Sequence, residues 1–470
     1  MDRRDGVLGQ TGTKKPYRLT PAEDNYTREF AQLENERLWG KVWMIACREQ
    51  ELAKAGDFVT YDIAGDSIMI VKQDDGGLKA FFNVCQHRGR RLKAYGLEPK
   101  GGMSGNTGST IRCPFHAWRW KIDGEIEYIC DGEDYANLEH CSKAELALKP
   151  VKLDTWGGWV WVNMDPNCKP LLEYLDPVPK YLDPYEFEKC KIAWHHTIIF
   201  PCNWKTVAEA FNEGYHVEGT HTQITKNGWQ PTISRAHGDH GWFGYEAAKV
   251  DSEDGAAEVV KVGSGGVPTL DVQIDFRKMM YEATLEALAS LKCLTSEYSV
   301  EAARRLSDVL PADAPYAVVA AKNYELHQQV YRDLGIEWPK GMNPKSMHEA
   351  GTDWHVFPNQ IGLPAIDGIE WYRLRPNGDN PESCIFDVWW LQRYPEGKEP
   401  PIEHQFWPTP ESFKGENPFL EQDFANLIAV QQGMHSRGFE GQRTNPVQEI
   451  AISNFHQALH RWLGLTDESK

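Results

Sequence analysis

The alternation of apolar and polar residues predicts a run of short β-strands in the first third of the chain. From Val42 to about Pro166, apolar and β-branched stretches recur between glycine-containing turns, as in strands that bury one face. The clearest predicted strands are Phe58–Tyr61, Ser67–Val71, Ala80–Val84 and Trp159–Val162. The pattern therefore predicts a small all-β domain over residues 42–166.

Helical periodicity marks several other segments. Thr20-Pro21-Ala22-Glu23 has the capping residues of a helix start, and the predicted helix runs to about Trp39. Further helices are predicted at 204–212, within 250–337, at 417–433 and at 445–463, and further strands at 354–361, 370–375 and 384–393. We therefore expect an arm and helix at 1–41 that pack on a second domain. That domain covers 167–470 and carries a helical insertion at 250–337.

Composition and charge narrow the class of protein. Of 470 residues, 41% are hydrophobic, and the formal net charge of −18 argues against nucleic acid or an anionic membrane surface as a partner. The sequence has no apolar signal region and no apolar run of membrane-spanning length. Its ten scattered cysteines do not form a secreted disulfide pattern. We expect a soluble cytoplasmic protein.

Two short loops of the all-β segment each pair one cysteine with one histidine. Cys85 and His87 lie in the first loop, and Cys113 and His116 lie in the second. A single zinc ion could be bound by four such ligands, but zinc modules usually pair cysteine with cysteine and histidine with histidine along the chain. One ligand of each kind per loop suits a two-iron cluster with both thiolates on one iron and both imidazoles on the other. We therefore predict an iron–sulfur cluster held by these four residues.

A later segment carries a second pair of histidines. His216 and His221 are five positions apart, and on a straight helix their side chains would point about 140° apart. Gly214 and Gly219 allow the helix to bend or end, so that both rings can converge on one metal. Glu213 can accept the proton of the His216 ring nitrogen that faces away from such a metal. Taken alone, a kinked helix with two satisfied histidines explains this segment equally well.

Together these motifs resemble those of the Rieske non-haem iron ring-hydroxylating oxygenases, in their catalytic α subunit. The resemblance is carried by CQHRGRRL at 85–92, CPFHAWRW at 113–120 and NWKTVAEAFNEGYHVEGTH at 203–221, and it spans about 29–433. It implies an α+β fold, with a small all-β Rieske domain and a larger helix-grip (START-like) catalytic domain on an antiparallel sheet. It also implies two cofactors, a Rieske [2Fe-2S] cluster and a mononuclear Fe(II) held by two histidines and one carboxylate.

The resemblance assigns the iron histidines to His216 and His221 and places the carboxylate at the start of a later helix. Asp423 stands nine residues before Gln432, which is the expected spacing, and Glu421 is the alternative ligand. A helix N-terminal acid that complements the helix dipole would explain Asp423 without any metal.

Six side chains are predicted to line the substrate pocket. Three of them neighbour the proposed iron ligands: Phe211, Val217 and Phe419. The other three match a strand that lines the pocket in relatives: His355, Phe357 and Asn359. For the latter three, ordinary burial within the sheet is the competing interpretation.

Glu213 stands where the family usually has an aspartate that links a cluster histidine of one subunit to an iron histidine of the next. The resemblance therefore implies a catalytic role for Glu213 in electron transfer and a homotrimer, with or without a β subunit. On that role, Glu213→Gln should spare both metal sites and slow only the transfer. The long interval from His221 to Asp423 places extra residues in 250–337, as a lid over the pocket or as contacts between subunits.

The resemblance implies an oxidoreductase that uses dioxygen and NAD(P)H-derived electrons from a separate ferredoxin or reductase. Our first hypothesis is cis-dihydroxylation of a small aromatic compound, because the five-residue histidine spacing is typical of dioxygenase members. The alternative is a monooxygenase that hydroxylates, or O- or N-demethylates, an aromatic or polycyclic substrate. A non-catalytic Rieske electron carrier leaves the second histidine pair unexplained, and a helix-grip lipid-binding module leaves the cluster unexplained.

Basic residues surround the predicted cluster. The segment 85–121 contains one acid, Glu98, and eight basic residues: Arg88, Arg90, Arg91, Lys93, Lys100, Arg112, Arg119 and Lys121. A basic surface around a redox centre favours docking of a small acidic electron carrier. Pairing of these side chains with acids from elsewhere in the fold is the alternative.

Overall fold

Strand-rich and mixed regions of the chain form separate units. The structure is a computed structural model that describes residues 19–94, 103–222, 231–245 and 274–465. It divides into one compact unit of Gln32–Tyr174 and another of Met1–Ala31 with Leu175–Lys470. None of the helices in these described ranges is long and apolar enough to cross a membrane.

Each predicted strand overlaps at least one observed strand, but the single strand predicted at 354–361 is divided into two by a turn at 357–359, and several observed strands are not predicted individually. The observed strands of the first unit are β1 Met44–Arg48, β2 Asp57–Ile63, β3 Asp66–Lys72, β4 Leu78–Phe82, β5 Ser104–Asn106, β6 Thr110–Arg112, β7 Arg119–Lys121, β8 Ile126–Tyr128, β9 Pro150–Trp156 and β10 Trp159–Asn163. Those of the second unit are β11 Lys191–Phe200, β12 Ile233–His237, β13 His240–Gly244, β14 Asp353–Val356, β15 Gln360–Ala365, β16 Gly368–Asn377, β17 Asn380–Gln392 and β18 His404–Trp407.

The helices among the described residues concentrate in the second unit. They are α1 Arg28–Arg37, α2 Lys143–Leu146, α3 Leu171–Leu175, α4 Val178–Leu182, α5 Trp204–Ala210, α6 Val217–Thr220, α7 Phe276–Leu291, α8 Glu297–Val309, α9 Tyr316–Leu334, α10 Pro344–Ala350, α11 Pro418–Met434 and α12 Ile450–Leu463. Helices α7 to α9 make up the described part of the 250–337 segment. The predicted helix from 20 to 39 is interrupted: a 3₁₀ turn at Ala22–Asn25 precedes α1.

The first unit is a seven-stranded sheet beside a three-stranded one. The strand orders are β1-β10-β9-β4-β3-β2-β5 and β6-β7-β8, with antiparallel pairing throughout. Inward-facing residues of both sheets share one apolar cluster, which includes Phe58, Met69, Phe81 and Trp120. Cys85 and Cys113, the two predicted cluster cysteines, are part of this buried core, so packing against it holds the two cysteine–histidine loops in place.

The second unit is built on an eight-stranded sheet. Its order is β12-β13-β14-β15-β16-β17-β11-β18, and only the β11–β18 pair is parallel among the described strands. Helix α8 is amphipathic and packs on α9 through Tyr298, Ala302, Val330 and Tyr331. The predicted α+β class, with a small all-β unit and a larger antiparallel-sheet unit, is confirmed.

Candidate active site

The two loops that carry Cys85 and Cys113 have matching backbone geometry. In the first, the Cys85 amide donates to the Arg90 carbonyl (2.8 Å) and the Gly89 amide donates to the Cys85 carbonyl (3.1 Å). In the second, the Cys113 amide donates to the Trp118 carbonyl (2.9 Å) and the Ala117 amide to the Cys113 carbonyl (3.1 Å). Each loop therefore presents its cysteine and its histidine from an equivalent tight turn.

Both turns require a left-handed residue at the same place. Gly89 has φ +71° and Ala117 has φ +59°. Glycine adopts this conformation without steric cost, whereas alanine does not. The alanine that departs from the family pattern thus occupies a strained position at the edge of the cluster site.

The four donors are arranged as two like pairs. Nδ1 of His87 lies 3.1 Å from Nδ1 of His116, and Trp118 stacks on the His87 ring. Burial raises the pKa of the Cys85 thiol, and the neighbouring Cys113 thiol adds to the shift. Two facing imidazole nitrogens and two adjacent thiols fit a cluster with one His-ligated and one Cys-ligated iron.

The chain between the two later histidines breaks its helix. Helix α5 begins after Asn203, whose side-chain oxygen accepts a hydrogen bond from the Lys205 amide (3.0 Å). The next helical turn, α6, begins after His216 and ends before His221. Because the break falls ahead of His216, the two rings converge with their centroids 5.3 Å apart.

Helix α11 brings the carboxylate to these histidines. Gln431 of α11 clamps α5, since its Oε1 accepts from the Asn203 amide (3.0 Å) and the Thr206 hydroxyl (2.9 Å). Asn426 donates to the Thr220 hydroxyl of α6 (3.0 Å). These bonds lie one to two turns from Asp423, so the three ligand-bearing segments are fixed to one another.

His216, His221 and Asp423 form a compact group of metal-binding atoms. Oδ1 of Asp423 lies 3.6 Å from Nε2 of His216 and 3.0 Å from Nε2 of His221. Nε2 of His221 and Oδ2 of Asp423 are buried, and neither has a hydrogen-bond partner among the described residues. Such orphaned atoms are costly unless a cation binds them, and two imidazoles with one carboxylate suit Fe(II). Glu421, the alternative ligand, accepts instead from the Gly415 amide (2.6 Å).

Each histidine is held through the nitrogen that faces away from this group. Nδ1 of His216 lies 2.8 Å from Oε1 of Glu213, and Nδ1 of His221 lies 2.8 Å from Oε1 of Gln422. Both contacts leave Nε2 with its lone pair for a metal. Burial lowers the pKa of His216, but the hydrogen bond and charge of Glu213 outweigh it and raise that pKa above its ordinary value.

A second group of two histidines and one carboxylate is a weaker metal candidate. His195, Asp387 and His404 bring three potential ligand atoms together. However, Oδ2 of Asp387 already pairs with Arg373 (2.8 Å) and Arg375 (3.0 Å). Two guanidinium groups satisfy this carboxylate and repel a metal cation, so we interpret the group as an ion-pair network within the sheet.

A cavity of about 430 Å³ opens onto the His216–His221–Asp423 group. Its lining includes all three of these residues and three of the predicted pocket residues, Phe211, Val217 and Phe419. Phe419 stacks on the His221 ring, with centroids 3.9 Å apart. The cavity therefore combines a polar metal-binding floor with aromatic walls, as expected for an organic ligand beside a metal.

Of the other three predicted pocket residues, His355 lies on β14, and Phe357 and Asn359 lie in the turn that joins β14 to β15. His355, Phe357 and Asn359 are fully buried and are not among the described residues that line the cavity. His355 packs edge-on against Phe455, and the Asn359 amide donates to the Leu374 carbonyl (2.6 Å). For His355 these contacts correspond to the competing interpretation, burial within the sheet, whereas Phe357 and Asn359 are buried in the adjoining turn.

Sequence reasoning missed the lining residues that the helical segment supplies. Helices α7 to α9 and their connections contribute Thr284, Leu291, Leu294, Thr295, Ser299, Asn323 and His327. The sheet adds Glu370 and Tyr372 from β16. Helical periodicity locates α7 to α9, but it does not show which of their faces borders a cavity.

Several basic residues around the cluster are already engaged. Arg91 pairs with Asp62 (3.3 Å), and Lys121 pairs with Glu125 (2.8 Å). Lys93 is half-buried: its ammonium donates to the Thr107 hydroxyl (2.9 Å), and burial lowers its pKa. Lys100 and Glu98 lie outside the described residues. Pairing thus accounts for part of the basic surface.

The first unit carries the donor set of a Rieske [2Fe-2S] cluster, and the second carries that of a mononuclear iron. Residues 187–465 match the family described as the ring hydroxylating alpha subunit (catalytic domain), and residues 42–138 match the Rieske [2Fe-2S] domain. The chain belongs to the ring-hydroxylating α-subunit family. Its cofactors are accordingly a Rieske [2Fe-2S] cluster and a mononuclear iron.

Similar proteins of known activity include monooxygenases and a dioxygenase. The carnitine monooxygenase oxygenase subunit of Escherichia coli K12 is 36% identical over 199 residues, which are 42% of this chain and 50% of that protein. The glycine betaine monooxygenase oxygenase subunit of Pseudomonas aeruginosa UCBPP-PA14 is 29% identical over 42% of this chain and 43% of its own length. The anthranilate 1,2-dioxygenase large subunit of Acinetobacter baylyi is 33% identical over 44% of this chain and 42% of its own length. The chain matches about half the length of these relatives.

Two solved structures show the same fold over nearly the whole chain. The quaternary ammonium Rieske monooxygenase CntA in complex with L-carnitine has a TM-score of 0.61 and 17% identity, covering 94% of this chain and 95% of that one. Naphthalene 1,2-dioxygenase with indole in its active site has a TM-score of 0.61 and 16% identity, covering 95% and 92%. At these identities the likeness establishes the fold alone.

Proposed function

We propose that this chain is the oxygenase component of a Rieske monooxygenase that inserts one atom of dioxygen into a small organic substrate. The observation that carries the proposal is the His216–His221–Asp423 group on the floor of a cavity with aromatic walls. Monooxygenation is preferred because carnitine and glycine betaine monooxygenase subunits are among the most similar relatives. This reverses the order of the hypotheses drawn from the histidine spacing.

In this proposal, an iron held by His216, His221 and Asp423 would supply the activation of dioxygen, and a cluster held by the cysteine–histidine loops would supply the electrons. The protein holds His216 and His221 in the tautomer that ligates, through Glu213 and Gln422. Phe419 shields the His221 ring from water, which keeps the reaction site apolar. The cavity walls orient the substrate against the ligand group, and the open side of that group leaves room for dioxygen.

Labelled dioxygen tests the proposal directly. The purified protein, loaded with cluster and iron and supplied with a surrogate reductase, is incubated under ¹⁸O₂ with a panel of amines and aromatic compounds. Products analysed by mass spectrometry should carry one labelled oxygen atom or show the loss of a methyl group with release of formaldehyde, whose own oxygen exchanges with water. Products that carry two labelled atoms on adjacent ring carbons would overturn the proposal.

Aromatic cis-dihydroxylation is the second candidate. It is favoured by the resemblance to the anthranilate 1,2-dioxygenase large subunit and by the phenylalanine side chains in the cavity wall, Phe211, Phe243 and Phe419. The same labelling experiment separates the two reactions, since a cis-diol retains both atoms of one dioxygen molecule.

We also propose that a separate ferredoxin or reductase delivers the electrons and that the working unit is a homotrimer, with or without a β subunit. Both proposals rest on the family to which the chain belongs. Mass photometry of the purified protein should show a species of three chains, and a fully active monomer would contradict it. Cluster reduction by a candidate ferredoxin, followed by absorbance, tests the donor.

A further inference from the structure

The cavity wall contains three buried acceptor atoms that have no hydrogen-bond partner among the described residues. Glu370, on β16, lines the cavity and is 2% exposed, and its Oε1 has no hydrogen-bond partner. Burial raises the pKa of this carboxyl group to about 7, against the opposing effect of the Cys293 and Tyr372 side chains beside it. A buried carboxyl oxygen without a hydrogen-bond donor lowers the stability of the protein, and a ligand that donates to this oxygen would remove that cost.

Helix α9 supplies two more acceptors, one turn apart on the same face. Asn323 and His327 both line the cavity, and they are separated by four positions. Oδ1 of Asn323 is buried without a hydrogen-bond partner, and so is Nδ1 of His327. These atoms belong to the helical segment, not to the sheet or the metal-binding helices.

A buried aspartate sets the acceptor character of His327. Nε2 of His327 lies 2.6 Å from Oδ1 of Asp367, and Ser296 and Ser299 both donate to Oδ2 of Asp367 (2.5 Å each). Because the carboxylate accepts the Nε2 proton, Nδ1 keeps its lone pair and can only accept from a ligand. The network therefore fixes both the orientation and the tautomer of the ring.

The lining has no counterpart for a substrate carboxylate. Among the described residues that line the cavity there is no lysine or arginine, whereas Glu213, Glu370 and Asp423 are acidic. A betaine would bring a carboxylate that no basic side chain of this lining can neutralise. Asp423 belongs to the metal-binding group and Glu213 accepts from His216, so Glu370 is the acidic side chain left to face a ligand. A positive charge with attached hydrogens would meet this carboxyl group and the two acceptors of α9.

We propose that the substrate is a protonated amine that bears at least one N–H and no carboxylate, and that Glu370, Asn323 and His327 position its nitrogen. The proposal rests on the proposed oxygenase function, because it assigns the substrate class of the same cavity. It separates this chain from an enzyme for quaternary ammonium compounds, since a quaternary nitrogen carries no hydrogen to donate.

Four probes of similar shape test the proposal by binding alone. They are N,N-dimethylbenzylamine (tertiary, protonated at neutral pH), benzyltrimethylammonium (quaternary), isobutylbenzene (neutral) and 4-(dimethylaminomethyl)benzoate (zwitterionic). Titration calorimetry of the iron- and cluster-loaded protein without reductant should show the tertiary amine binding at least about tenfold more tightly than each of the other three, because a charge-assisted hydrogen bond is gained.

Two variants locate the effect. Glu370→Gln should weaken binding of the tertiary amine by at least about tenfold and leave the neutral probe unchanged. Asn323→Leu should weaken the same amine by a smaller factor, without touching the Asp367 network. Glu382→Gln is the matched control, because this glutamate is an exposed residue of the second unit that pairs with His435; it should bind all four probes as the unchanged protein does.

Equal binding of the tertiary amine and the neutral probe, or of the tertiary and quaternary probes, would overturn the proposal. If Glu370→Gln fails to fold, the Asn323→Leu comparison decides alone. Failure of the amine proposal can be distinguished from failure of the proposed oxygenase function. A neutral product with one ¹⁸O atom would refute the amine substrate class and support the monooxygenase. Two labelled atoms in an amine product would do the reverse.

Discussion

Replacing Glu213 with glutamine should weaken the iron site, because no orientation of an amide can replace this carboxylate. Oε1 of Glu213 accepts the Nδ1 proton of His216 (2.8 Å), while Oε2 accepts the backbone amides of Tyr215 and of His216 (2.9 Å for the latter). All three partners are donors. A glutamine has one acceptor oxygen and one NH₂ group. Its NH₂ group, which is itself a donor, must therefore point at one of the donors that the carboxylate now accepts from.

The size of the effect follows from this mismatch. If the NH₂ group faces His216, the ring loses its anchor; if it faces the backbone, two amides lose their acceptor. Leaving such buried donors unsatisfied costs about 1–3 kcal/mol. Loss of a comparable partner behind a metal-bound histidine typically lowers metal affinity ~10–100-fold. The sequence alone predicts that this variant spares both metals, and the observed contacts revise that expectation for the mononuclear iron.

The assay is an anaerobic Fe(II) titration of the apo mononuclear site against a competing chelator. The cluster absorbance in the same sample should not change, because the four cluster donors lie in the other unit. Glu218→Gln makes the same chemical change at an exposed residue two positions after His216 and should leave the iron dissociation constant unaltered. An unchanged constant in Glu213→Gln would refute the reasoning and return Glu213 to a role in electron transfer only.

Other perturbations have equally specific outcomes. Asp423→Asn should abolish mononuclear iron binding in metal analysis while the cluster spectrum persists. Iron affinity should fall as pH drops through the raised pKa of His216, so titrations at decreasing pH should lose iron closer to neutrality than an ordinary histidine would allow. Ala117→Gly should raise the unfolding free energy of the cluster unit by roughly 0.5–1 kcal/mol in denaturant melts. Glycine removes the cost of about 1–2 kcal/mol that alanine bears at a left-handed φ, but its greater conformational entropy in the unfolded chain offsets part of this gain. Raising salt, or Arg88→Glu, should slow cluster reduction by an acidic ferredoxin but not by dithionite; insensitivity to both would place the docking surface elsewhere.

Local chemistry explains why the metal loops could be predicted from the sequence. Cys85 and Cys113 each lie in a turn whose hydrogen bonds close within six residues, so a short motif contains nearly all of the relevant geometry. Asp423 could be chosen over Glu421 because the resemblance implies a carboxylate nine residues before a glutamine, and Gln432 stands at that distance from Asp423. The interrupted first helix shows the limit of such local motifs: Ala22–Asn25 carries helix-start residues but continues only as a 3₁₀ turn before α1.

Side-chain direction across the sheet could not be predicted in the same way. The cavity is lined by Leu363 and Glu370, which are cross-strand partners on β15 and β16, and not by His355 on β14. Successive residues of a strand face opposite sides of the sheet, so distance along the sheet does not decide the matter: Phe243 on β13, the strand beyond β14, does line the cavity. Matching a strand to its counterpart in relatives therefore does not show which of its side chains face the cavity.

The substrate-facing acceptors are the least predictable part, and they carry the most information about specificity. On sequence alone, His327 is one histidine on a helix of ordinary periodicity, and Asp367 is forty positions away. Only the packing of α9 against the β15–β16 turn joins them and leaves Nδ1 unpaired in a cavity wall. The metal ligands define the chemistry, whereas the proposed substrate contacts come from α9 and β16. The reaction class and the substrate class therefore have separate structural origins. A relative that shares the first need not share the second, so the substrates of carnitine and glycine betaine monooxygenases do not transfer to this chain with the fold.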